Sequence, residues 1–248
     1  MKQTRLLMGM PVTLEVVEAS ATEELFDTVF SYLEYVDEKF STYKDNSEIS
    51  WINRHEITLE QSSEDMRTVF ALAEQTRQET NGYFDIMHHG IYDPSGVVKG
   101  WAIYNAAEIL RRKGFENFYV EAGGDIEAVG KNSLNQNWRV GIRNPFNPNE
   151  IVKVLYVSNC GVATSGTYIR GQHIYNPKND GRPIPDIVSL TVVGPNIYDA
   201  DRFATAAFAM GQEGILFIES LEDFEGYMID HRRQATLTSS FARYTSHD

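Results

Sequence analysis

VEAGGDIEAVGKN, from Val120 to Asn132, is the stretch on which the fold turns. Its glycines and lysine suggest a phosphate-binding loop of the form G-x4-G-K-[S/T], which would join a strand to a helix in a nucleotide-binding fold. Five residues separate Gly124 from Gly130 where that motif needs four, and Asn132 stands in place of the required hydroxyl residue. The spacing excludes the loop. What remains is a strand ending at Gly123-Gly124, where a missing Cβ lets a ligand or another backbone approach closely, followed by Asp125. A plain hairpin turn is the other reading of the same residues.

On either side of this stretch the pattern changes. Before it, Leu25, Phe26, Val29, Phe30, Leu33, Val36 and Phe40 recur at helical spacing behind a capping box at Ser20 to Glu23. A second helix is predicted from about Ser62 to Thr80, stopped by Asn81-Gly82, and a third from near Val97 to Gly114. After it come FYVEA, WRVGIR, KVLYVS and VSLTVVG, which alternate or run apolar between turn residues and read as strands. A last clear helix covers about Asp199 to Met210, followed by a short helix and a strand near GYMID. Helices first and strands later, without a βαβ rhythm, predict an α+β fold, and without repeats or linkers residues 1–248 read as one unit.

Composition narrows the function. A formal charge of -13 over 248 residues repels nucleic acid and anionic membrane, so a bound phosphate must be held locally by backbone donors, a lysine or a metal. The single cysteine, Cys160, allows no intramolecular disulfide and reads as a small buried residue at a strand end. The N-terminal MKQTRLLMGMPVTLEVV contains no uninterrupted apolar core of a leader, and no apolar run reaches membrane-spanning length, so a cytoplasmic protein without a membrane anchor is expected.

Three further stretches could carry chemistry. DPSGVVKGWA, Asp93 to Ala102, places small residues and Lys99 where a helix begins, so it is either an anion-binding helix start or ordinary capping chemistry. ATSGTYIRGQHIYNP sets the hydroxyls of Thr164, Ser165 and Thr167 beside glycines and then offers His173, a general base or a hydrogen-bonded structural residue. In YDADRFATAAF, Asp201 and Thr205 lie four apart and would share one helix face toward a hard cation. Two oxygen ligands are too few for a resident magnesium site, which suits a metal that arrives with phosphates. The His88-His89 pair and His231 lack metal-site spacing.

In this order these pieces resemble the ApbE-like flavin transferases. The resemblance runs from MGMPVTLEV at Met8 through STYKDNSEISWIN, NGYFD, DPSGVVKGWA, VEAGGDIEAVG, WRVGIRNP, ATSGTY, HIYNP and ADRFATAAFAMG to about Gly211. It implies an α+β, T-fold-related architecture and an enzyme that splits FAD with Mg2+. FMN would pass through a phosphoester to a threonine or serine of an acceptor flavoprotein, releasing AMP. Carried over by motif, Asp93 and Lys99 would contact FAD, and the Gly96 backbone, Asp201 and Thr205 would surround the metal. Tyr83, Phe84 and Asp85, with Met8 and Tyr43, would line the nucleotide pocket. Gly123, Gly124 and Asp125 would shape its floor, His173 would be the base, and Thr164 to Gly166 would form an adjacent turn. The segment from Ile86 to Tyr92 is shorter than the family pattern leads one to expect, which bears on the adenine side of the pocket.

Overall fold

In the computed structural model the described residues are 1–167, 174–179 and 182–245. The chain opens with β1 (Lys2–Leu7) and β2 (Met10–Val16), then α1 (Glu23–Phe40), α2 (Glu48–Asn53) and α3 (Glu64–Glu79). Two short strands, β3 (Met87–His88) and β4 (Ile91–Tyr92), lead into α4 (Ser95–Arg112). Five strands follow: β5 (Phe118–Ala122), β6 (Asp125–Val129), β7 (Trp138–Asn144), β8 (Asn147–Val157) and β9 (Cys160–Gly166). After them come β10 (Tyr175–Asn176), β11 (Arg182–Pro183), β12 (Ile187–Gly194), α5 (Ile197–Ala209), α6 (Gly214–Glu219), β13 (Glu225–Asp230) and β14 (Ala235–Leu237).

Eight of the strands form one antiparallel sheet in the order β1-β2-β5-β6-β9-β12-β13-β14, the α+β architecture that the sequence predicts. Gly123 and Gly124 form the two-residue turn between β5 and β6, with Ala122 paired to Asp125 across it. Their φ angles of 61° and 102° put both in the left-handed region, which a tight hairpin turn of this hand requires and glycine adopts without strain. The stretch is strand-turn-strand, so the hairpin alternative holds.

The sheet is covered on both faces. Along β6 every residue is buried, and the alternation of side chains divides them between two cores. Val129 joins the larger core with α1, α3, α4 and α5, whereas Ile126 and Ala128 pack under Trp138, Ile142, Leu155 and Val157 of the β7-β8 hairpin. Asp125 and Glu127 therefore lie on the helical side, where no apolar partner suits a carboxylate.

The helices form where their apolar spacing puts them, with boundaries set by caps. Thr22, two residues after Ser20, accepts the Leu25 amide at 3.3 Å and starts α1. Ser63 caps α3 and Asn196 caps α5, so α5 begins two residues before Asp199. The expected turn at Thr164 to Gly166 is instead the end of β9, a strand paired on both edges, by β6 and by β12. No helix among the described residues is long and apolar enough to cross a membrane.

Candidate active site

One cleft gathers most of the candidates. Tyr83, Phe84, Asp85 and Asp93 line it together with Gly96, Lys99, Gly123, Asp201 and Thr205. They come from four places: the loop after α3, the stretch from Asp93 into the second turn of α4, the β5-β6 turn and the middle of α5. Glycines permit this convergence. A Cβ on Gly100 would sit 2.7 Å from Asp201 Cβ and 2.9 Å from the Ile197 carbonyl, so α4 and α5 can cross this closely only at a residue without a side chain. One turn earlier, a Cβ on Gly96 would meet Phe84 at 3.1 Å and Thr205 at 3.2 Å.

The start of α4 is less open than an anion-binding helix start. Asp93 Oδ1 accepts the Ser95 amide at 3.0 Å, and the Pro94 carbonyl accepts the amides of Val97 and Val98. Lys99 projects from the next turn to the base of the cleft, where its ammonium pairs with Asp125 Oδ2 and lies 3.4 Å from Asp201 Oδ1. Both carboxylates are almost wholly buried. The second oxygen of each is held by a backbone amide, Thr164 on Asp125 at 2.9 Å and Gly100 on Asp201 at 2.8 Å.

This arrangement has electrostatic consequences. Burial is the largest influence on the Asp201 carboxyl and pushes it up to about 7; Asp125 pushes the same way, and Lys99 and the Gly100 amide oppose. Two carboxylates and one ammonium leave the base of the cleft with one uncompensated negative charge if all three are ionised. A diphosphate would meet repulsion there unless a cation joined it. Among the described residues no group of three His, Cys, Asp or Glu side chains could hold a metal. The hard oxygens of Asp201 and Thr205 fit Mg2+ in kind but are too few, which matches an ion whose remaining ligands come from phosphate and water.

The placement of α5 depends on a buried acid that sequence reasoning missed. Glu127, fully buried on β6, accepts the Ile197 amide at the start of α5 at 2.7 Å and pairs with Arg111 of α4 at 2.5 Å. A Cβ on Gly161 would fall 2.1 Å from the Ile197 nitrogen, so β9 is also shaped to receive this helix end. The two charges in the sequence carry no mark of their pairing, and Gly161 is one of many turn-like glycines.

Other candidates fall elsewhere. Gly124 is in the hairpin turn beside the cleft, its amide donating to Glu121 at 2.6 Å. Asp125 reaches the cleft through Lys99. Met8, in the β1-β2 turn, packs against the larger core, and Tyr43 stands 97% exposed between α1 and α2; neither lines the cleft. His173 lies outside the described residues. The cleft also takes in Ser95, Ser165, Ile174, Tyr175 and Pro177. Tyr175 donates its hydroxyl to the Asp85 carbonyl at 3.0 Å and stacks on His88 with ring centroids 3.7 Å apart. The HIYNP stretch carried that signal only as one more aromatic residue.

Comparison with known proteins converges on one family. The ApbE family model matches residues 8–93 and 91–228. The FAD:protein FMN transferase of Vibrio cholerae is 34% identical over 131 residues, 49% of this chain and 39% of that protein. The FAD:protein FMN transferase of Haemophilus influenzae is 30% identical over 163 residues, 61% of this chain and 47% of that protein. The matched stretches thus span less than half the length of these curated relatives. Among solved structures, flavin transferase ApbE from Vibrio cholerae superposes with a TM-score of 0.85 at 24% identity over 98% of both chains. The ApbE protein of Thermotoga maritima does so with a TM-score of 0.89 at 19% identity over 99% of both, so the fold is shared throughout.

Proposed function

This chain belongs to the ApbE family, and from that premise we propose that it splits FAD and transfers FMN to a threonine or serine hydroxyl of an acceptor flavoprotein, releasing AMP. The observation that carries the reading is Lys99 held between two buried carboxylates at the base of a cleft walled by Tyr83 and Phe84. The cleft joins an apolar wall able to take a planar ring to a charged base that suits a diphosphate accompanied by a cation.

In this reaction the acceptor oxygen bonds to the phosphorus of the FMN half as the bond from that phosphorus to the bridging oxygen breaks. The bridging oxygen leaves with AMP, and the hydroxyl proton passes to a base, the role the resemblance gives to His173. Negative charge grows on the pyrophosphate oxygens, so catalysis rests mainly on positioning and charge neutralisation. Lys99 supplies a fixed positive charge, and its two carboxylate partners keep the ammonium from swinging out to solvent. Mg2+, held by Asp201 and Thr205 and completed by phosphate oxygens, would supply the rest of that neutralisation. The Thr205 hydroxyl and the Asp201 carboxylate stand one helical turn apart, the spacing that puts both on one face of α5.

The test is to incubate the purified chain with FAD and Mg2+, with and without an acceptor carrying a flavinylation threonine, and to follow AMP, free FMN and protein-bound flavin. AMP together with flavin on the acceptor is the expected result. AMP with only free FMN would replace the acceptor by water and make the protein an FAD pyrophosphatase. Intact FAD beside a competent acceptor would remove the enzymatic reading. Asp201→Ala should abolish Mg2+-dependent turnover, and a fully active variant would take Asp201 out of the metal site.

A further inference from the structure

Arg202 follows Asp201 on α5 but turns away from the cleft, and the residue is only 6% exposed. Nε and Nη2 reach Asp199 Oδ1 at 2.8 and 2.7 Å, while Nη1 pairs with the Glu79 carboxylate and lies 3.4 Å from Thr76 Oγ1. Asp199 in turn accepts from the Asn196 side chain that caps α5. One buried cation therefore ties the start of α5 to the last turn of α3, although the two helices share little direct backbone contact.

The last turn of α3 leads straight into the wall of the cleft. Thr80 Oγ1 donates to the Thr76 carbonyl at 2.7 Å and accepts the Phe84 amide at 3.2 Å. Phe84 then lies over Gly96, in the same contact that includes Thr205 of α5. The links form a closed circuit: Arg202, the end of α3, Phe84, Gly96, Thr205 and back along α5.

We propose that Arg202 is a positioning residue that sets the Tyr83-Phe84 wall against Asp201 and Thr205. The proposal rests on the flavin-transfer reading for its functional consequence. A buried ion pair is a poor source of stability, because desolvating both charges offsets most of their attraction. What a guanidinium does well is fix two partners at once: its planar fork holds Asp199 with one side and Glu79 with the other, which a lysine ammonium does less well.

The experiment compares the full-length chain with Arg202→Met, Arg202→Lys, Glu79→Gln and the Arg202→Met/Glu79→Gln double variant. Hydrogen exchange of residues 80–86 is read by mass spectrometry, and FAD affinity by quenching of its fluorescence. Arg202→Met replaces the guanidinium, whose carbon lies 5.2 Å from the Tyr198 ring centroid and 4.0 Å from that of Phe203, with an apolar chain that has no donors. It should speed exchange at the Phe84 amide and weaken FAD binding by about tenfold, the scale of one charge-assisted hydrogen bond, while β2 exchange stays unchanged. Glu79→Gln should move both readouts the same way, Arg202→Lys should recover part of the loss, and the double variant should be no worse than Arg202→Met. A lower melting temperature with unchanged exchange at 80–86 and unchanged FAD affinity would make Arg202 a structural residue only, and exchange rising equally across the sheet would do the same. If the wild-type chain fails to bind FAD, the functional reading fails, and the exchange measurement still decides whether Arg202 holds the wall.

Discussion

At Gly100 the two helices that carry the charged base of the cleft come closest, and a single methyl group is enough to test that contact. In Gly100→Ala the new Cβ would lie 2.7 Å from Asp201 Cβ and 2.9 Å from a backbone oxygen, so neither neighbour can yield by rotating a side chain. Overpacking of this kind costs about 1–3 kcal/mol, and urea denaturation should show a loss in that range. Gly96→Ala should cost less, because its contacts at 3.1 and 3.2 Å are to side-chain ends. A Gly100→Ala protein as stable as wild type would mean the helices separate freely. The sequence offered Lys99 and Asp201 as separate candidates and Asp125 as the residue after a glycine turn. Nothing in their spacing joins them, since residues far apart in the chain meet only after α4 and α5 have packed. Only the family resemblance put them in one site.

Elements were legible in proportion to how one-sided their burial is. The first helix reads clearly because its seven buried residues fall on one stripe facing the sheet. Strand β9, CGVATSG, was not legible: small and hydroxyl residues let the strands on both sides and α5 approach closely, and they produce no alternation. Its hydroxyls are used across strands, as in the 2.9 Å contact between Thr164 and Thr191. The expected start of α5 falls two residues late because Asn196, its cap, carries no apolar spacing to mark it, and the buried Glu127 that also holds the first amide comes from another element, β6. Glu127→Leu would remove the acceptor for the Ile197 amide and the partner of Arg111, costing about 1–3 kcal/mol for the groups left unsatisfied. Glu127→Gln retains an oxygen for the amide and should cost less. Urea melts of the two variants decide this, and equal costs would assign the effect to the Arg111 pair alone.

At the scale of the whole molecule, the sheet carries a helical layer on one face and a hairpin on the other, and we expect the two cores to open together. Cys160 reports on the hairpin side, where it is buried beside Ile126, Trp138 and Val193. Burial is the first cause that pushes its thiol up to about 12, with the nearby Glu127 adding to it. The folded value is raised above the unfolded one, so the protonated thiol's contribution to stability is present below about 9, the ordinary thiol range, and is lost as pH rises toward 12. Near pH 8 the native thiol is therefore both protonated and shielded, and a thiol reagent can reach it only through opening. In a urea series at that pH, the labelling rate should follow the same transition as the circular dichroism of the helices. Labelling that begins at lower urea, while the helical signal is intact, would show that the β7-β8 hairpin lifts off the sheet on its own. The chain would then behave as a helix-covered sheet with a detachable cover.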